Sequence, residues 1–135
     1  MNTDSQVITE INNFIEKFIK AYPKNDVDEY LSLFAKDENL VVFGTEDGEK
    51  WVGYEDYKSA PQKDKDKFGE ISITFDWKKI NYHGQIAWFA AEVTVNLIIE
   101  GQKVSAPARV TGVLKKEGDD WLIIQGHISA PESEN

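Results

Sequence analysis

The chain has 135 residues, a formal net charge of −9, 41% hydrophobic and 29% charged residues, and no cysteine. That length suits one domain able to bury a core without covalent staples, and the lack of cysteine excludes disulfides and thiol chemistry. The lysines are interleaved with acids, so the basic stripe that nucleic acid or an anionic membrane surface requires is missing.

No apolar run approaches the roughly 18 residues of a membrane-spanning helix. The opening MNTDSQVITE lacks the basic and apolar regions of a secretory signal. The expectation is a single soluble, cytoplasmic domain over residues 1–135.

Over residues 5–22, Ile8, Ile11, Ile15, Phe18, Ile19 and Tyr22 recur at spacings of three and four, one stripe of a helix. Asp4 or Ser5 can cap it and Pro23 stops it. Asp26 with Glu29 three residues on reads as a capping box for a shorter helix turning Tyr30, Leu31 and Phe34 inward. Residues 40–44, LVVFG, read as a buried strand. Lys50-Trp51-Val52 is its expected hairpin partner across the turn Thr45-Glu46-Asp47-Gly48. A third helix begins in Gly53-Tyr54-Glu55-Asp56-Tyr57 and is expected to end or kink at Pro61. Gln62 to Lys67 then reads as a solvated charge run.

The remainder reads as strand. In 70–77, Ile71, Ile73, Phe75 and Trp77 alternate with Ser72, Thr74 and Asp76. In 85–100, Ala87, Phe89, Ala91, Val93, Val95, Leu97 and Ile99 form an apolar face opposite a mixed one of Trp88, Glu92, Thr94 and Asn96. The runs 103–116 and 120–130 repeat the division, with Arg109, Thr111, Gln125, His127 and Ser129 on mixed faces. Trp77 and Trp121 are expected in the core and His83 at the surface. Helices followed by long antiparallel strands define an α+β fold, a layer of N-terminal helices on one sheet. Strands this long exceed the usual five or six residues, so the sheet should be strongly curved. Wrapped on helices, it leaves a cone with an open mouth, a shape that suits a small molecule.

Arg109 is the only arginine beside fourteen lysines, and its planar fork of donors suits a carboxylate or phosphate. A two-residue loop at Gly101-Gln102 would pair Arg109 with Thr94, and Thr111 with Glu92. A tight turn at Glu117-Gly118-Asp119-Asp120 would pair Arg109 with His127, and Thr111 with Gln125. The mixed face then gathers Glu92, Thr94, Asn96, Arg109, Thr111, Gln125, His127 and Ser129. Two readings remain open. The cluster lines the cone and holds a small, partly apolar, acidic ligand on Arg109, with His127, Thr94, Glu92 and Gln125 nearby and Trp51, Tyr54, Tyr57 and Trp88 as wall. Alternatively it is the outer face of the sheet, packed on a second subunit. His127 or Glu92 could act as a base and Tyr54 or Tyr57 as a donor in proton transfer.

Two histidines far apart, in no metal-ligand spacing, make no metal site. No nucleophile elbow or glycine-rich phosphate loop is present, and no cofactor is expected.

The order of these elements resembles the SnoaL-like branch of the nuclear transport factor 2-like superfamily over nearly the whole chain. The resemblance is sharpest in Arg109-Val110-Thr111-Gly112-Val113-Leu114-Lys115-Lys116 followed by Trp121-Leu122-Ile123-Ile124-Gln125-Gly126-His127-Ile128-Ser129. That pattern is similar to the end of the association domain of calcium/calmodulin-dependent protein kinase II. Tyr30-Leu31-Ser32-Leu33-Phe34 and Trp51-Val52-Gly53 fit the same resemblance. It implies a cystatin-like cone and a homodimer formed through the open sheet face. It also implies a cavity reached by the arginine matching Arg109, and a ligand-binding role or a cofactor-free isomerase, cyclase or dehydratase activity. The further cavity arginines of the kinase association domain are missing; Glu92 and Thr94 stand at the nearest strand.

Overall fold

The computed structural model describes residues 4–22 and 27–131. The cap expected at Asp26 and the stop at Pro23 lie outside the described residues. Helix α1 (Asp4–Ala21) is followed by the short α2 (Val27–Leu31). Strands β1 (Val41–Phe43) and β2 (Lys50–Val52) form the expected hairpin, with Val42 opposite Trp51. Two helices follow where one was expected, α3 (Tyr54–Tyr57) and α4 (Ala60–Phe68). Pro61 does not stop a helix; it sits in the first turn of α4, where a missing N–H costs nothing because the first turn has no acceptor for it. Gly53, at φ 90°, makes the entry to α3, and its N–H donates to Leu40 O at 2.6 Å.

Strands β3 (Ser72–His83), β4 (Ile86–Ile99), β5 (Gln102–Glu117) and β6 (Asp120–Ser129) complete a six-stranded sheet of order β2-β1-β6-β5-β4-β3. All neighbours are antiparallel except β1 and β6, which run parallel with Phe43 beside His127. The β4–β5 hairpin turns at Glu100-Gly101, with Ile99 opposite Gln102. Both turn residues have positive φ, 51° and 80°, which matches the twist of the flanking strands.

The apolar face of β4 is the inner face. Ala87, Phe89, Ala91 and Val93 are buried with Ala108 and Leu114 of β5, and with Val7, Ile11, Phe14 and Ile15 of α1. Each large side chain removed from water here contributes roughly 1.5–3 kcal/mol. Two irregularities curl the sheet. Asp76 bulges from β3, and Ile124 from β6, each leaving its partner strand one residue short, which bends and twists a strand locally. Each bulge also changes which face the following side chains take. Past Asp76, Trp77 stands opposite Glu92 on the outer face and is 53% exposed, not in the core as expected. Before Ile124, Trp121 and Ile123 point inward and are buried; after it, Gly126 and Ile128 take the inner side.

Trp121 closes the base of the helix layer. Its Nε1–H donates to Glu10 Oε1 at 2.8 Å, and Lys116 Nζ donates to the same oxygen at 3.2 Å. The indole hydrogen bond, with the lysine's help, holds the Glu10 carboxyl below its ordinary pKa against the opposing effect of burial.

Candidate functional site

Between the helices and the inner face lies a cavity of about 450 Å³, inside the range of about 300–1,000 Å³ usual for small-molecule sites. Its wall is a run of aromatic rings supplied by three elements and by the residues that follow α1 and α2. Tyr22, just past the end of α1, meets Tyr30 of α2 edge-on, with centroids 5.5 Å apart. Tyr30 packs on Phe34 at 5.1 Å, Phe34 on Tyr57 of α3 at 5.0 Å, and Trp51 of β2 on Tyr57 at 5.4 Å. Phe89, Val95, Ala106, Val110 and Ile128 complete the lining from the sheet.

The polar groups within this wall are few. The hydroxyls of Tyr30 and Tyr57 meet at 2.9 Å, out of solvent. Two hydroxyls in one mutual bond use one hydrogen, so the pair keeps a second O–H to donate. Burial pushes both phenols well above the ordinary range, so they are neutral donors at any physiological pH. Burial also pushes Tyr22 up to about 12, with the charges of Asp64 and Glu49 adding to the effect. Glu46 and Glu49, from the β1–β2 turn, and Asp64 of α4 border the cavity. The Asp64 carboxyl is raised above its ordinary value, first by desolvation, then by Glu49 and Glu46, with Lys67 opposing.

Of the mixed-face residues, Thr111 and His127 border this space, and Glu92, Thr94, Asn96, Arg109, Gln125 and Ser129 do not. Glu92 pairs with Arg109, and Arg109 with Ser129; Thr94 pairs with Pro107, Thr111 with His127, and Gln125 with Val113. The expected registers were two residues off on each side of Arg109. A two-residue slip preserves the face, so the cluster holds together as a surface. It is the outer surface, however: Glu92, Arg109, Thr111, Gln125 and His127 are exposed and Thr94 half-buried. Thr94 Oγ1 donates to Asp76 Oδ2 at 2.7 Å. The His127 strand segment borders the cavity, while its ring stands edge-on to Phe43, with centroids 5.6 Å apart. Tyr54 is half-buried under Lys36, whose Nζ is 5.9 Å from the ring centroid, and does not line the cavity. Of the residues singled out from sequence, Trp51 and Tyr57 therefore lie within the cavity wall and His127 and Thr111 border it. The proton-transfer candidates Glu92, His127 and Tyr54 are not brought together.

Tyr22, Tyr30 and Asp64 went unmarked as site residues. Tyr22 and Tyr30 read as core because a helical stripe looks the same whether it packs on a sheet or faces a void. Asp64 was hidden in the charge run, but the spacing Ala60–Asp64–Phe68 puts it on the inward stripe of α4, a signal available in the sequence. Among the described residues, no cluster of three or more His, Asp or Glu is placed to hold a metal ion. No described helix is long and apolar enough to cross a membrane.

The profile of the SnoaL-like domain matches residues 11–133. The chain belongs to the SnoaL-like domain family. No curated protein sequence matches it closely. Among solved structures, it is similar to a nuclear transport factor 2-like superfamily protein from Salmonella enterica serovar Typhimurium, with TM-score 0.85, 19% identity, and 98% of this chain and 96% of that one covered. A Nostoc punctiforme protein of unknown function with a cystatin-like fold gives TM-score 0.77 and 20% identity, over 97% and 95%. A Xanthomonas campestris structure provisionally named as a calcium/calmodulin-dependent protein kinase II association domain gives 0.75 and 18%, over 98% and 91%. Identities this low establish the SnoaL-like chain's fold, a cystatin-like α+β cone, and leave its ligand to its own residues.

Proposed function

We propose that this SnoaL-like chain binds a small, largely apolar molecule in the cavity between its helices and the inner sheet face. The observation that carries the reading is the pairing of a 450 Å³ apolar space with a single buried hydroxyl pair, Tyr30 and Tyr57. An apolar wall supplies affinity and a few fixed polar groups supply orientation, which is how small-molecule sites are built. Arg109, exposed on the other side of the sheet, is not the anchor in this reading. The test is a melting-temperature series with 2-naphthalenemethanol on the wild type, Ala106→Phe and Arg109→Ala. Ligand at 100 times its Kd stabilises the native state by about 2.7 kcal/mol. The wild type and Arg109→Ala should both shift, and Ala106→Phe, which fills the cavity, should not. A shift lost only in Arg109→Ala would move the site to the outer face and overturn the proposal.

A second proposal concerns the outer face. Trp77 and Trp88 are 53% and 40% exposed there, with Ile98 also exposed, and Arg109 and Glu92 stand opposite each other among them. A surface with large apolar groups around a charged pair suits a self-complementary contact, and pairing through this face is what the superfamily resemblance implies. Sedimentation of wild type and Trp77→Lys tests it: a dimer that becomes a folded monomer supports the pairing, and a wild-type monomer at high concentration contradicts it.

A further inference from the structure

We infer that the cavity's occupant is an uncharged molecule whose polar end is a hydrogen-bond acceptor, a ketone- or ester-type oxygen that takes the O–H left over by the Tyr30–Tyr57 pair. The inference rests on the cavity reading above and adds the chemistry of the ligand's polar end, neutral where Arg109 suggested an acid from sequence.

The pair holds a donor without an acceptor. Two phenolic hydroxyls carry two hydrogens, and the one bond between them, at 2.9 Å, uses one. Neither hydroxyl makes another hydrogen bond among the described residues. Tyr30 and Tyr57 are only 8% and 7% exposed, and both line the cavity.

The surrounding wall does not answer that donor. Phe18, Tyr22 and Phe34 pack on the Tyr30 ring, and Phe34 and Trp51 on the Tyr57 ring. Phenylalanine has no polar atom, and an indole only donates. The Tyr22 hydroxyl bonds neither member of the pair. A buried O–H without an acceptor is costly, so a molecule that fills the cavity and displaces water from it must bring one. A ketone or ester oxygen accepts without adding a donor of its own.

The same wall selects against charge. Burial among these rings holds both phenols in their neutral form. The desolvation that disfavours a phenolate there also disfavours a carboxylate seated on the pair. An ammonium has no lone pair with which to accept. Of the lysines that border the cavity, Lys63 and Lys67 are exposed and Lys65 has a partner of its own. Lys67 Nζ is engaged as well, 3.2 Å from Glu46 Oε1.

Equilibrium titration at neutral pH with three probes of one shape tests this. They are 2-acetonaphthone, 2-naphthoate, and 2-isopropenylnaphthalene, which has a methylene where the ketone has its oxygen. The ketone should bind about tenfold tighter than the hydrocarbon, and the carboxylate weakest. Tyr30→Phe or Tyr57→Phe alone keeps one O–H at the site and should keep the preference. The two substitutions together should erase it and leave the hydrocarbon's affinity at least as high. The carbonyl stretching band of the ketone bound to the wild type should lie below its position in hexane, and should return to that position in the double variant. If ketone and hydrocarbon bind the wild type alike, or the band stays at its hexane position, a retained water satisfies the pair; the acceptor assignment falls and the cavity reading stands. Naphthoate binding tightest would overturn the neutral assignment. If none of the three binds, both readings fall.

Discussion

The hydroxyls of Tyr30 and Tyr57, 27 residues apart in the chain, meet at 2.9 Å within the aromatic wall of the cavity. Helices α2 and α3 are too short to be stable alone, so this bond and the Phe34 ring between them help fix both against the sheet. Removing one hydroxyl strands the other. Tyr57→Phe should cost about 1–2 kcal/mol in urea unfolding. Adding Tyr30→Phe should restore part of the loss, because no buried hydroxyl is then left unpaired. Strictly additive losses would show that the two hydroxyls do not couple.

Tyr22 contributes to the loss of stability at alkaline pH, together with Tyr30 and Tyr57, whose phenols burial also raises. The Tyr22 pKa rises from 10.0 to about 12 on folding, so between those values the native state holds a proton that the unfolded chain has lost. Stability therefore falls as pH climbs through that window and is unaffected below it. Tyrosinate absorbance should show a step near pH 12 that Tyr22→Phe deletes, and the variant should lose less stability between pH 10 and 12. A Tyr22 step near pH 10 in the folded protein would contradict the burial of its hydroxyl.

Glu10 acts at the opposite end of the scale. Its carboxyl is held below its ordinary 4.5, chiefly by the Trp121 indole, so the folded state favours the ionised form. That contribution is complete above the ordinary value and is lost as pH drops through the lowered one. Glu10→Gln should flatten the fall in stability below about pH 4.5. An unchanged acid limb would mean that the Trp121 and Lys116 contacts do not persist in solution.

Gly112 lies under the ring of Phe89, where an added Cβ would come 2.7 Å from Cε1 and 2.9 Å from Cζ. Phe89 is itself held by Phe75, with centroids 6.1 Å apart, so it cannot yield freely. Gly112→Ala should destabilise by about 1–3 kcal/mol through overpacking, and Gly112→Ala with Phe89→Leu should recover part of it. A neutral Gly112→Ala would mean that the inner sheet face is looser than its burial indicates.

The strands were legible because alternation over 85–100 and 103–116 is long and unambiguous, and the inner residues from Ala87 to Val93 are those the alternation chose. The helix layer followed from the stripe through Ile11 and Ile15. What failed has one physical cause, repeated. A bulge adds one residue to a strand without any marker in composition, and so Asp76 sent Trp77 outward and Ile124 reversed the faces of β6. The parallel pairing of β1 with β6 depends on where two distant segments dock, which no local pattern carries. The expected cluster and the cavity wall part for a different reason. A lone arginine and a histidine on a polar face attract attention, whereas tyrosines on an apolar stripe read as packing; only the void beside Tyr22, Tyr30 and Tyr57 separates a wall from a core.

The measurement that decides most directly is a set of intermolecular NOEs between 2-naphthalenemethanol and the side chains of the protein. Naphthyl protons should contact the rings of Tyr30 and Tyr57 and the methyls of Val110 and Ile128, all of which line the cavity. Contacts to the side chains of Arg109, Thr94 and Gln125, with none to Tyr30 or Tyr57, would place the ligand on the outer face and contradict a binding cavity in this SnoaL-like chain.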